Sequence, residues 1–215
     1  MFRIYIYVID RDLGFAPNPF HGACTLATCK ARLRSTARVG DWVFGVGGGR
    51  LRATGKCIFA MKITQKLTYN EYWESPDFRN KKPVRNGSKV MMLGDNIYHS
   101  DPQNALWSQA HSHHSNSDGT INQFNLGKDT VSDKVLISNH FYYFGRCAVV
   151  IPQRLLKEIG YYNRVGHWVF DYTTASNLVN WIENSHKSAL NLVSCDPFDF
   201  DKSEVHYSYK TNRMS

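Results

Sequence analysis

The stretch VGDWVFGVGGGRLRATGKCIFAMKITQKL, residues 39–67, sets how the chain is read. Its glycines at 45, 47, 48 and 49 invite comparison with a nucleotide-binding loop. A dinucleotide fingerprint needs a strand, then glycines, then a helix, and the Walker loop needs a closing Gly-Lys-Ser/Thr. After Gly49 comes another strand pattern, and the Walker ending is absent. The stretch therefore predicts two strands, Trp42 to Val46 and Lys56 to Thr64, joined by a flexible glycine-rich connection.

On its N-terminal side, RIYIYVID (residues 3–10) is branched or aromatic at nearly every position, the mark of a strand covered on both faces. Between the two lies FAPNPFHGACTLATCKARLR, residues 15–34. Its prolines lock the backbone and hold Asn18 extended between them. Leu26, Leu33 and Ala37 then recur at helical spacing, with Lys30, Arg34 and Arg38 following one another every fourth residue. One helix with a core stripe beside a basic stripe is expected, its first turn aimed outward from a rigid corner and suited to a phosphate or carboxylate.

Downstream, Thr68 and Glu71 form a capping box for the helix TYNEYWES, which Pro76 ends. Residues 77–133 lack periodicity and read as an ordered, ligand-facing excursion. KVLISNHFYYFG and CAVVIP resume as strands; QRLLKEI, after Pro152 and closed by Gly160, reads as a short helix, and Leu178, Trp181 and Ile182 mark a last one. The expectation is one domain over residues 1–215: a core over 3–152 and a helical and strand extension over 153–215.

Composition narrows the partners. A net charge of +8 favours polyanions such as nucleotides or nucleic acid over basic ligands. The apolar start is too short and too soon charged for a signal peptide or a membrane span, and five scattered cysteines predict reduced thiols in a cytoplasmic protein with no membrane partner.

Residue chemistry suggests candidate sites. His99, His111, His113 and His114 are the densest imidazole cluster, able to hydrogen-bond, to exchange protons near neutral pH, or to hold a metal only if carboxylates such as Asp95 or Asp101 converge on it. Cys24 and Cys29 with His21 lack finger spacing, and on a helix the two thiols diverge. No metal and no cofactor are called for. Trp42, Tyr98 and Trp107 sit beside polar turns, where a base can stack.

The order of these elements resembles the PUA-like superfamily of EVE, ASCH and YTH domains, in which a Gly-Asp step leads into a barrel strand. More specifically, FAPNPFHGACTLATCK, ARVGDWVFGVG, LTYNEYWESPDFRNKKP, GDNIYH and VLISNHFYYFG together resemble the nucleotide modification associated domain, type two, over residues 3–152. The resemblance implies an α+β fold built on a mixed or antiparallel barrel with flanking helices, and a setting beside enzymes that alter bases in phage or mobile-element DNA. It carries over no catalytic residues.

The leading expectation is a domain that binds a nucleotide or a nucleic-acid base, DNA favoured, alongside base modification. Phe15, Asn18 and Phe20 would shape the pocket mouth, Trp42, Tyr98 and Trp107 would stack, and Asp95, His99 and His113 would read a base edge. Lys30, Arg34 and Arg38 would meet phosphates. In the enzymatic alternative, hydrolysis or group transfer would use His99 or His113 as base, Asp95 as its partner, and Cys24 or Thr25 at a helix start as nucleophile. A third reading is a non-catalytic interaction subunit of a defence complex.

Overall fold

A computed structural model describes residues 2–214. Its strands are β1 (Arg3–Ile9), β2 (Cys24–Leu26), β3 (Trp42–Gly47), β4 (Lys56–Lys62), β5 (Gln65–Thr68), β6 (Tyr98–Ser100), β7 (Trp107–Gln109), β8 (Lys134–Ser138), β9 (His140–Tyr143), β10 (Val149–Val150), β11 (His167–Asp171), β12 (Tyr207–Ser208) and β13 (Arg213–Met214). Its helices are α1 (Ala31–Thr36), α2 (Tyr69–Glu74), α3 (Lys89–Met92), α4 (Gln123–Asp129), α5 (Gln153–Glu158) and α6 (Tyr172–Ser185).

The fold is α+β. The main sheet runs β10-β4-β3-β1-β11, with β9 also on β4. β1 and β3 are parallel, in register from Ile4 opposite Trp42 to Ile9 opposite Gly47, and every other pairing in this sheet is antiparallel. Alternation along β1 explains its double coverage. Ile4 and Ile6 join Trp42, Phe44 and the apolar faces of α5 and α6, whereas Tyr5, Tyr7 and Ile9 join Val43, Phe59, Leu33 of α1, Leu26 of β2 and Leu136 of β8. A third core gathers Phe15, Tyr69, Tyr72, Tyr98 and Val135 below the long excursion.

The barrel expected from the PUA-like resemblance is not formed: among the described residues the strands make four separate sheets, none closed. The chain leaves the main sheet after Lys62, and β5 pairs with β8, which pairs with β2, as a sheet of its own. The single basic helix is also corrected. Cys24 to Leu26 are strand, paired with Ser138 to Leu136, and the helix is confined to Ala31–Thr36. Left-handed backbone at Cys29 (φ 56°) and Lys30 (φ 39°) separates the two, so tertiary pairing overrides the local helical spacing.

Other local readings hold. Thr68 and Glu71 make both bonds of the capping box, and Gly160 (φ 66°) follows the end of α5. The excursion contains a 3-10 segment, α3, the β6–β7 hairpin and α4. Cys147 and Cys195 form a disulfide, against the expectation of reduced thiols throughout. No helix among the described residues is long and apolar enough to cross a membrane.

Candidate active site

A cleft of about 290 Å³ opens at the C-terminal end of β1. Distant parts of the sequence converge on it: the stretch from Tyr7 to Arg11 with the corner residues Leu13, Phe15 and Ala16 that follow it, the turn Cys29-Lys30, His113-His114, and Tyr207 and Tyr209 from the C-terminal strap. The proline-bounded corner and the histidine-bearing excursion thus share one cavity.

Asp129 organises this site. The end of a helix is a poor place for a buried carboxylate, because the dipole there is negative. Four donors offset that cost: the Cys29 backbone N–H (2.8 Å), the Tyr98 hydroxyl (2.9 Å), the Tyr209 hydroxyl (3.1 Å) and His114 Nδ1 (2.7 Å). His114 and Asp129 are both almost wholly buried. Burial alone would lower the imidazole's pKa, but the adjacent Asp129 carboxylate overrides it and raises the group to about 10. Burial disfavours the Asp129 carboxylate as well, and His114, Arg34 and Tyr98 together hold its pKa below the ordinary value.

Cys29 lines the cleft together with His114 and Tyr209. Cys29 and His114 are both tied to Asp129, one through its backbone N–H and the other through its ring. The left-handed turn that presents the cysteine is held from both sides: Asp129 takes its N–H, and Arg34 Nε donates to its carbonyl at 2.9 Å. Strain of this kind costs on the order of 1 to 3 kcal/mol and persists where surrounding structure fixes it.

His113, one residue away, behaves oppositely. Burial first, and the charged His114 second, drive its pKa down to about 3, while its Nδ1–H donates to the Val205 carbonyl at 2.7 Å. It is a neutral wall of the cleft. Phe15 packs against both rings, with centroids 5.1 and 4.8 Å away. Tyr7, 2% exposed, lines the cleft with a hydroxyl that has no partner among the described residues.

Lys30 reaches over the Tyr7 ring, 4.4 Å from its centroid, and burial lowers its pKa. Together with Val8 and Asp10 it also lines a second cleft of about 380 Å³, bordered by Gly48, Gly49 and Arg164. Gly48 leaves room there for Asp10, whose Oδ1 would lie 1.9 Å from an added Cβ. On the other side, Arg11 stands 5.3 Å over the half-exposed Tyr207 ring.

Of the residues expected at a site, Phe15, Lys30 and His113 line the main cleft. Tyr98 sits one layer behind, on Asp129. The others are elsewhere. Asn18 is sealed by a reciprocal backbone pair with Thr25 and by Lys81 Nζ, which donates to its carbonyl and to its Oδ1. Phe20 packs on Phe200. Trp42 is core, stacked on Phe44, and Trp107 meets Tyr69 edge-on. Asp95 is fully buried and accepts from Thr25 Oγ1 (2.6 Å) and Tyr72 (2.8 Å). His99 stacks on Trp73 at 4.2 Å.

Cys24 and Thr25 stand on a strand, not at a helix start, and burial pushes the Cys24 thiol up to about 12, opposite to activation. Arg34 is completely buried and spends its guanidinium on the carbonyls of Cys29, Asp129, Ser132 and Lys134. Arg38 is exposed and lines neither cleft. Sequence reasoning reaches His114 only as one member of the imidazole cluster and Cys29 only as a rejected metal ligand, and it does not single out Asp129, Tyr207 or Tyr209.

A model of the nucleotide modification associated domain 2 matches residues 1–204 of the chain. The chain belongs to this family. The match takes in the Cys29, His114 and Asp129 positions of this nucleotide modification associated domain 2 protein, whereas Tyr207 and Tyr209, which complete the cleft, lie beyond it. No curated protein and no solved structure matches the chain.

Proposed function

We infer that the main cleft binds a nucleotide, or a nucleobase presented by DNA, in association with base modification in a phage or mobile-element setting. One observation carries this reading: an aromatic cleft and a glycine-bordered basic cleft meet at Lys30. A base fits against Tyr207 and Phe15, and the phosphate fits between Lys30 and Arg164. The main cleft's volume lies near the lower end of the roughly 300 to 1,000 Å³ usual for small-molecule sites. Stacking contributes about 1 to 3 kcal/mol per base, and the net positive charge favours the anion. The family's description, nucleotide modification associated, agrees with this chemistry.

Fluorescence titration of the full chain with dCMP, dAMP and a short single-stranded DNA tests it. Lys30→Ala is expected to weaken binding about tenfold. For the DNA it should also reduce the slope of log K against log salt by about one. Tyr207→Ala should weaken binding and erode discrimination among bases. Failure of all three probes to bind sinks the reading and favours the interaction subunit.

A further inference from the structure

We propose that Cys29 is a nucleophile and His114 its proton-transfer partner, forming a covalent thioester-type intermediate with a nucleotide that bears an amide- or ester-like carbon. The proposal rests on the nucleotide reading for its substrate class and on geometry for its chemistry. Cys29 and His114 line the same cleft, and the Asp129 carboxylate fixes the ring through Nδ1, leaving the other ring nitrogen for the reaction. A cysteine and an oriented imidazole on one cleft, both held by one buried carboxylate, are the parts that nucleophilic catalysis needs. The unpartnered Tyr7 hydroxyl in the same wall offers a donor to the carbonyl oxygen under attack.

The steps balance without an oxidant or reductant. With the thiol proton released to solvent beside the charged His114, Cys29 Sγ bonds to the sp2 carbon, and the displaced π pair moves onto its oxygen. On collapse the C–N or C–O bond to the leaving group breaks, and His114 gives that nitrogen or oxygen a proton. The acyl carbon is now held as a thioester on Sγ. Water adds to it, its proton passes to the neutral His114, the C–S bond breaks and the thiolate returns. One water is consumed for each bond hydrolysed.

The test is acylation of the full chain by para-nitrophenyl acetate, followed by nitrophenolate release and peptide mass mapping. A stoichiometric burst that leaves one acetyl group on Cys29 is expected. Cys29→Ala should abolish it, iodoacetamide pretreatment of the unmutated chain should do the same, and His114→Asn should slow it about a hundredfold. Saturating dCMP should protect Cys29. No burst, a burst that survives loss of Cys29, or one indifferent to His114→Asn overturns the proposal. The two readings fail separately: dCMP binding without a burst removes the covalent chemistry alone, and a burst that dCMP neither competes with nor binds beside removes the nucleotide reading alone.

Discussion

Two buried polar clusters are assembled from the same pieces of chain, the proline-bounded corner with its following strand and the long excursion, yet they do different work. In the first, Lys81 donates to the Asn18 carbonyl and side chain and to the Ala23 carbonyl, while Asp95 takes Thr25 and Tyr72. Each of these residues is at most 7% exposed. In the second, Asp129 is just as buried and better supplied with donors, but its histidine and a half-buried cysteine both line the wall of a cleft. Burial and hydrogen bonding alone therefore do not mark a functional site. The clusters differ in that only one ends on a nucleophile that a ligand can reach.

Cutting each cluster puts this contrast under the greatest stress. Lys81→Met removes three buried hydrogen bonds and leaves Asp95 without its nearby cation, so a loss of about 3 to 5 kcal/mol is expected in urea unfolding. Cys29→Ala should cost under about 1 kcal/mol, since it removes a half-buried thiol and keeps the backbone N–H on Asp129. Equal losses would make the two clusters equally structural.

The paired histidines give an intermediate effect. His113 falls from 6.5 to about 3 on folding, so its contribution is present above pH 6.5 and is lost as pH falls from there through about 3. His114 rises from 6.5 to about 10, so its contribution is complete below pH 6.5 and is lost as pH rises through about 10. Between them they predict maximal stability near pH 6.5. Thermal unfolding across pH should show the acid limb flattened in His113→Asn and the alkaline limb flattened in His114→Asn. The same limb flattened by both variants would contradict the opposite protonation assigned to the neighbours.

The smallest effect belongs to Arg38→Ala, which should leave stability within about 0.5 kcal/mol because the side chain is exposed and lines neither cleft. Nucleotide affinity should also be unchanged, in contrast with Lys30→Ala. A loss of affinity on Arg38→Ala would place the phosphate on the wrong side of α1.

Local signals are legible wherever the cause is local. Unbroken β-branched and aromatic residues mark β1 as doubly covered, a Thr-Glu pair caps α2, and the strand pattern after Gly49 departs from the Walker and dinucleotide-loop orders. The basic helix is misread because helical spacing is also met by residues that end in a strand (Leu26), a turn (Lys30) and a short helix (Leu33 and Arg34). Arg34 shows why: a cation on an apparent solvent stripe satisfies four carbonyls when the C-terminal end of α4 and the chain leading into β8 pack over it.

The α+β class, the succession of strands in the first half, the cationic balance and the family resemblance are all present in the linear chain, because each rests on short-range periodicity or on motifs read in order. Which histidine is charged, which arginine is buried and which cysteine faces a cleft are set by packing in three dimensions. Cys29 lies 100 residues before Asp129, and His114 15 residues before it. The properties that matter, desolvation and a donor within 3 Å, come into being only when the fold brings these three together.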